Sequence, residues 1–191
     1  MSKLITVLAL SGSLRRASLN TAMLTMAADC APPGLRVHCY LGLGALPLFN
    51  PDLEAHEPES VAQLRHAIHD ADAVLIASPE YAHGVSGVMK NALDWMVANG
   101  VFVDKPVVLW NASPRASHAL AALRGTLAVM SARLIDDAGL ALLIKAPDGG
   151  GPPVNLDPGS MQQALKVLAD LLCRCRADRS GITSHRGVQL G

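Results

Sequence analysis

The sequence predicts an open α/β fold, a parallel sheet of five strands with helices on both faces. Three observations predict it. Short apolar runs of strand length recur along the chain, and helical stretches alternate with them. The run AVLIAS at 73–78 is apolar throughout, as a strand covered on both faces must be. With 191 residues, half of them hydrophobic, the chain is long enough to bury one sizeable core and too apolar to be disordered except at its ends.

Each element has a local reason. Residues 3–10, KLITVLAL, read as strand one: the apolar stretch is too short to span a bilayer or to serve as a secretory signal, and it runs directly into a Ser/Gly turn. Residues 18–30 read as helix one, and LRVHCY at 35–40 alternates as strand two. A long loop punctuated by Gly and Pro follows at 41–57, with LPLFNPD inside it. Helix two spans 58–70 with Pro58 at its first turn. Strand three is 73–78, and helix three spans 86–98 with Gly100 as its stop. Strand four is PVVLW at 106–110, and helix four covers 115–132. Strand five is expected within 139–145, after a short extended stretch at 134–135. Helix five is expected at 159–177, giving a single domain over 1–177 and a mobile Gly/Arg/Ser tail at 178–191.

Five strands alternating with helices fit a flavodoxin-like three-layer sandwich with strand order 2-1-3-4-5. In that order the topological switch lies between strands one and three, and the loops at their carboxyl ends meet at one ligand crevice. Those loops are SGSLRRASLN at 11–20 and PEYAHGVSG at 79–87.

Composition narrows the function. Lys+Arg and Asp+Glu both number 16, so the formal net charge is zero. No basic stripe points to nucleic acid and no polybasic segment to a membrane, which leaves a cytosolic protein as the expectation. The four cysteines, Cys30, Cys39, Cys173 and Cys175, match neither a zinc pattern nor a C-x-x-C pair and read as reduced structural thiols. No Ser/His/Asp arrangement is evident that would make the SGS serines a hydrolase nucleophile.

The first loop has one glycine, so it is neither a dinucleotide fingerprint nor a P-loop. Ser11, Ser13, Ser18 and Asn20 can donate hydrogen bonds, Arg15 can give a charge-assisted bidentate contact, and a helix N-terminus follows. This is a cradle for a phosphate monoester; the alternative is an ordinary turn N-capped by Ser18. In the second loop, exposed backbone can meet the edge of a polar heterocycle and Tyr81 offers a flat face, with Gly84 and Gly87 allowing close approach. The alternative is that Tyr81 packs on a neighbouring subunit. His83 either lines an acceptor site or is a solvated loop histidine. A third loop, NASPRA at 111–116, should reach the same end of the sheet. Together these loops suggest a flavin mononucleotide site.

The motifs GSLRRASLN and SPEYAHGVSGVMKNALDW, and more loosely LPLFNPDLE, resemble those of the NADPH-dependent FMN reductase family, which includes quinone, azo and chromate reductases. The resemblance extends to about residue 145. It implies a phosphate site at Ser11, Ser13, Arg15, Ser18 and Asn20, with Leu19 beside them, and ring contacts at Pro79, Glu80, Tyr81 and the backbone of Ala82. It places a further flavin contact near Ser113. The chain departs from the family pattern in three places: Ala82 stands where many members carry Asn, Ser86 where a proline is common, and Ala116, Ser117 and His118 where a glycine pair is usual.

The resemblance implies an enzyme that passes a hydride from NADPH to FMN and on to quinone-like, azo or other small acceptors by a ping-pong mechanism, with no metal and no protein acid–base group. It also implies a homodimer, or a tetramer, built around helix three, where Lys90, Asp94 and Trp95 would face a partner subunit; the alternative is a monomer with Trp95 partly buried. The competing reading is a non-enzymatic flavin-binding electron shuttle or sensor; zero net charge argues against a shuttle, which needs a one-signed surface for steering.

Overall fold

A computed structural model describes residues 4–112, 117–136 and 158–185. Its sheet has the order β2-β1-β3-β6-β7, formed by β1 (Ile5–Ser11), β2 (Leu35–Tyr40), β3 (Ala73–Ala77), β6 (Pro106–Trp110) and β7 (Arg133–Leu134). All four pairings are parallel. This is the flavodoxin-like order read from the sequence. The numbering differs because two short strands, β4 (Glu80–Tyr81) and β5 (Gly84–Val85), form a separate antiparallel hairpin after β3.

The helices are α1 (Leu19–Asp29), α2 (Glu59–Asp70), α3 (Gly87–Val97), α4 (Ser117–Val129) and α5 (Pro158–His185). Side chains alternate across the sheet with a period of two, so the strands feed two cores. Val7, Ala9, Leu75, Ala77, Val108 and Trp110 pack with Met23 of α1 and Leu165 of α5. Leu8, Leu10, Val74, Ile76, Val107 and Leu109 pack with Leu64 of α2, Leu93 of α3 and Leu127 of α4. Every residue of β3 and β6 is buried, which is why both strands read as continuous apolar runs.

Several boundaries differ from the sequence reading. The fifth strand is the two-residue β7, whereas the expected 139–145 lies outside the described residues. The strand is hard to read because its ladder is only Pro106↔Arg133 and Val107↔Leu134, and one of its two residues is charged. Helix α4 stops at Val129, three residues early: Ser131 adopts a left-handed φ of 58° and the Ala132 N–H turns back onto the Leu127 carbonyl at 3.0 Å. Helix α5 continues to His185, past the expected end at 177. The 41–57 loop contains two short 3-10 turns, Gly42–Ala45 and Pro51–His56.

Trp95 corrects one expectation about a partner surface. It is 4 % exposed, its indole N–H donates to the Pro47 carbonyl at 2.8 Å, and its ring meets Phe49 edge-on at 5.1 Å. Asn91 reinforces the attachment, donating to the same carbonyl and accepting the Phe49 N–H at 2.8 Å. Trp95 therefore holds the long loop against α3 within one chain. Lys90 and Asp94 pair with each other along the helix at 2.5 Å.

At the amino end of the sheet, Asp72 fastens the approach to β3 onto β1. Its carboxylate accepts the Thr6 N–H at 2.8 Å and the Thr6 hydroxyl at 3.1 Å, and it pairs with Arg176 of α5. Burial pushes the Asp72 carboxyl up, but the Thr6 N–H and the Arg176 guanidinium together hold it below the usual aspartate range. Asp72→Asn should cost about 1–2 kcal/mol at neutral pH, measured by urea unfolding. Because the native carboxyl titrates below the unfolded one, the gap between wild type and variant should be full at neutral pH. It should close as pH falls below about 4, where the wild-type carboxylate also becomes protonated.

Candidate functional site

The carboxyl ends of β1, β3 and β6 converge on a cavity of about 330 Å³, near the lower end of the roughly 300–1,000 Å³ typical of small-molecule sites. The β1 loop contributes Ser13, Arg15 and Ala17, followed by Ser18, Leu19 and Asn20 where α1 begins. The β3 loop contributes Ser78, Pro79, Glu80 and Tyr81, and the β6 loop Asn111 and Ala112.

The first of these groups suits an anion. Ser18 caps α1 by accepting the Thr21 N–H at 3.2 Å, which leaves its own O–H to donate. Leu19 and Asn20 are the first two helical residues, so their N–H groups have no acceptor within the helix, and the helix dipole favours negative charge there. Ser13 accepts the Arg15 N–H at 3.4 Å, a geometry that folds the loop around the cavity. Asn20 is buried, and its Oδ1 has no hydrogen-bond partner among the described residues. A buried amide oxygen without a donor costs about 1–3 kcal/mol, so a ligand presenting a hydroxyl or N–H beside the anion would satisfy it.

Close approach of two loops makes the cavity. The Gly12 N–H donates to the Ala77 carbonyl at 2.8 Å, carrying the β1–β3 ladder one step past the strand. A Cβ on Gly12 would lie 2.5 Å from Ser78 Oγ and 2.8 Å from Ser86 Oγ. Those two hydroxyls contact each other at 3.3 Å, and Ser86 also caps α3 by accepting the Met89 N–H at 3.3 Å. Ser86 thus serves the N-terminus of α3 and the packing of the two loops at once.

The second wall is the β4–β5 hairpin. Its turn residues, Ala82 and His83, both have left-handed φ, 49° and 59°, as a tight two-residue hairpin requires. A Cβ at Gly84 would meet only the Tyr81 carbonyl at 3.5 Å, and one at Gly87 would meet nothing within 4 Å among the described residues, so both positions leave open space beside the hairpin. Tyr81 lines the cavity with 57 % of its surface exposed. The Glu80 carboxylate accepts the Ala119 N–H of α4 at 2.9 Å and the His83 imidazole at 3.2 Å. The Ala119 N–H, then His83 and the first turn of α4, hold this carboxyl below the usual glutamate range.

Eight of the eleven residues expected at the site line the cavity. Ser11 does not: its hydroxyl is 2.8 Å from that of Thr21 and accepts the Ser13 N–H at 3.3 Å, so it braces the loop from behind. Ala82 is also outside the lining and serves the turn. Ser113 lies outside the described residues. Sequence reasoning passed over Ser78, whose place follows only from the register that pairs Ser11 with Ala77.

Two substitutions probe this geometry. Gly12→Ala should lower stability by about 1–3 kcal/mol, because the loops must separate to admit the methyl group. Ala82→Gly should raise the thermal midpoint by relieving a left-handed conformation that costs a residue with a Cβ about 1–2 kcal/mol. Differential scanning calorimetry of the two variants reads both effects.

The chain is similar to proteins of known activity. It is 45 % identical over 112 residues to the NADPH:quinone oxidoreductase of Arabidopsis thaliana, covering 56 % of this chain and 57 % of that protein. It is 40 % identical over 116 residues to the NAD(P)H-dependent FMN reductase PA1204 of Pseudomonas aeruginosa, covering 59 % and 62 %. The chain thus spans about three-fifths of the length of these curated relatives. Among solved structures, the flavoenzyme NAD(P)H:(acceptor) oxidoreductase FerB of Paracoccus denitrificans superposes with a TM-score of 0.73 at 30 % identity, covering 90 % of this chain and 98 % of that one. The NADPH-dependent FMN reductase family model matches residues 5–142, which include all the residues that line the cavity and the strands that carry them, and the chain belongs to that family.

Proposed function

We propose that the protein is an NAD(P)H-dependent oxidoreductase that binds FMN in this cavity and reduces quinone-like or other small acceptors. One observation carries the reading: an anion cradle at the start of α1 and an aromatic-flanked hairpin open into the same cavity at the topological switch of the sheet. The family and the named activities of the relatives support it.

Bound FMN would supply the redox chemistry, accepting two electrons from NADPH and passing them to the acceptor. The protein's part is to bind and orient. Ser13, Arg15, Ser18 and the first N–H groups of α1 hold the phosphate, and Asn20 meets a neighbouring polar group of the ligand. Pro79, Tyr81 and the hairpin backbone border the ring, with Glu80 fixing the hairpin rather than reaching for substrate. The third loop enters through Asn111 and Ala112, with Ser113 next in the chain as a further contact. The exposed mouth beside Tyr81 lets donor and acceptor use the same face in turn, the basis of a ping-pong mechanism. An assembly of two chains across the α3 side draws support from Val97 and Val103, both apolar and more than half exposed.

Two measurements test this. Anaerobic NADPH should bleach the FMN-loaded protein and a quinone should restore the colour; bound flavin that stays yellow overturns the reductase reading. Arg15→Ala should weaken FMN binding about tenfold, the loss of a partly solvated charge-assisted contact. Riboflavin, which lacks the phosphate, should bind wild type and variant alike; an equal loss for both ligands would remove Arg15 from the phosphate site.

A further inference from the structure

Beside the cavity, three side chains converge that the flavin reading leaves without a joint task. Glu80 and His83 come from the β4–β5 hairpin and His118 from the first turn of α4. One potential ligand atom from each lies within 4.8 Å of the other two. His83 Nδ1 is 3.2 Å from Glu80 Oε1, and the two imidazoles meet edge-to-face with centroids 4.6 Å apart.

We infer that Glu80, His83 and His118 form a binding site for one divalent transition-metal ion. Two neutral imidazoles and one carboxylate suit zinc, nickel, cobalt or copper. They do not suit calcium or magnesium, which require many oxygen ligands. Zinc bonds nitrogen and oxygen at about 2.0–2.2 Å, so tetrahedral ligand atoms stand about 3.3–3.6 Å apart. Closing from 4.8 Å asks for roughly an ångström of movement, and both imidazoles are exposed and can supply it by rotation.

The surroundings favour this assignment over a chance cluster of surface groups. The second oxygen of Glu80 is held by the Ala119 N–H at 2.9 Å, so the carboxylate is oriented before an ion arrives. The same bond ties the hairpin to α4, the two elements that carry the histidines. The left-handed turn at Ala82 and His83 fixes the backbone that presents the His83 ring. Three protein ligands leave a fourth position open, and Glu80 also lines the cavity, so the ion would sit at its rim. The inference stands on these residues alone and does not depend on which ligand fills the cavity.

Calorimetric titration of the full, chelator-treated chain with zinc is the test, with cobalt as a spectroscopic probe. One ion per chain is expected, with visible cobalt bands of a tetrahedral site and a zinc-dependent rise in thermal midpoint. His83→Ala and His118→Ala should each weaken zinc binding at least tenfold and abolish that rise. Their midpoints without metal show that each variant is folded. Absence of binding at millimolar zinc, or binding unchanged in either variant, would overturn the site. So would binding lost only in the His66→Ala/His69→Ala control on α2.

Discussion

The distance between the ends of β1 and β3 is the constraint on which the site depends. Gly12 continues the parallel ladder onto Ala77, and its missing side chain lets the first loop lie against Ser78 and Ser86. With those ends together, the first turn of α1 and the hairpin after β3 face one cavity. A methyl group on Gly12 would push the two halves apart, because the atoms it meets belong to hydroxyls already packed against each other.

The far wall depends on a carboxylate. Glu80 accepts an N–H at the start of α4, where the helix dipole favours negative charge, and so fixes a hairpin of only two residues per strand. A ladder that short has little stability of its own. The long loop is fixed differently, by the indole N–H of Trp95 on the Pro47 carbonyl and the edge of Phe49. Both attachments join segments that are distant in sequence.

That distance explains what the sequence disclosed and what it did not. Strands buried on both faces announce themselves, because AVLIA and VVLW have no polar position to hide. The cap at Ser18 and the helix after it were legible because capping is local. The hairpin turn was not: left-handed residues are sought at glycine or asparagine, and here they are Ala82 and His83. The roles of Glu80 and Trp95 are set by partners dozens of residues away, which no local pattern encodes. Strand β7 is set by its ladder partner β6 more than by its own two residues.

The cavity draws its walls from three strand ends, so no single stretch of the chain contains it. A local peptide from the first loop would carry the serines and Arg15 but neither the hairpin nor the glycine clearance that joins them. Binding competence therefore appears only once the β1–β3 pairing exists, and is lost when that pairing opens. Whatever occupies the cavity acts by mass action as a clamp on the central sheet. Ligand supply would then set how much of this chain persists in its native form.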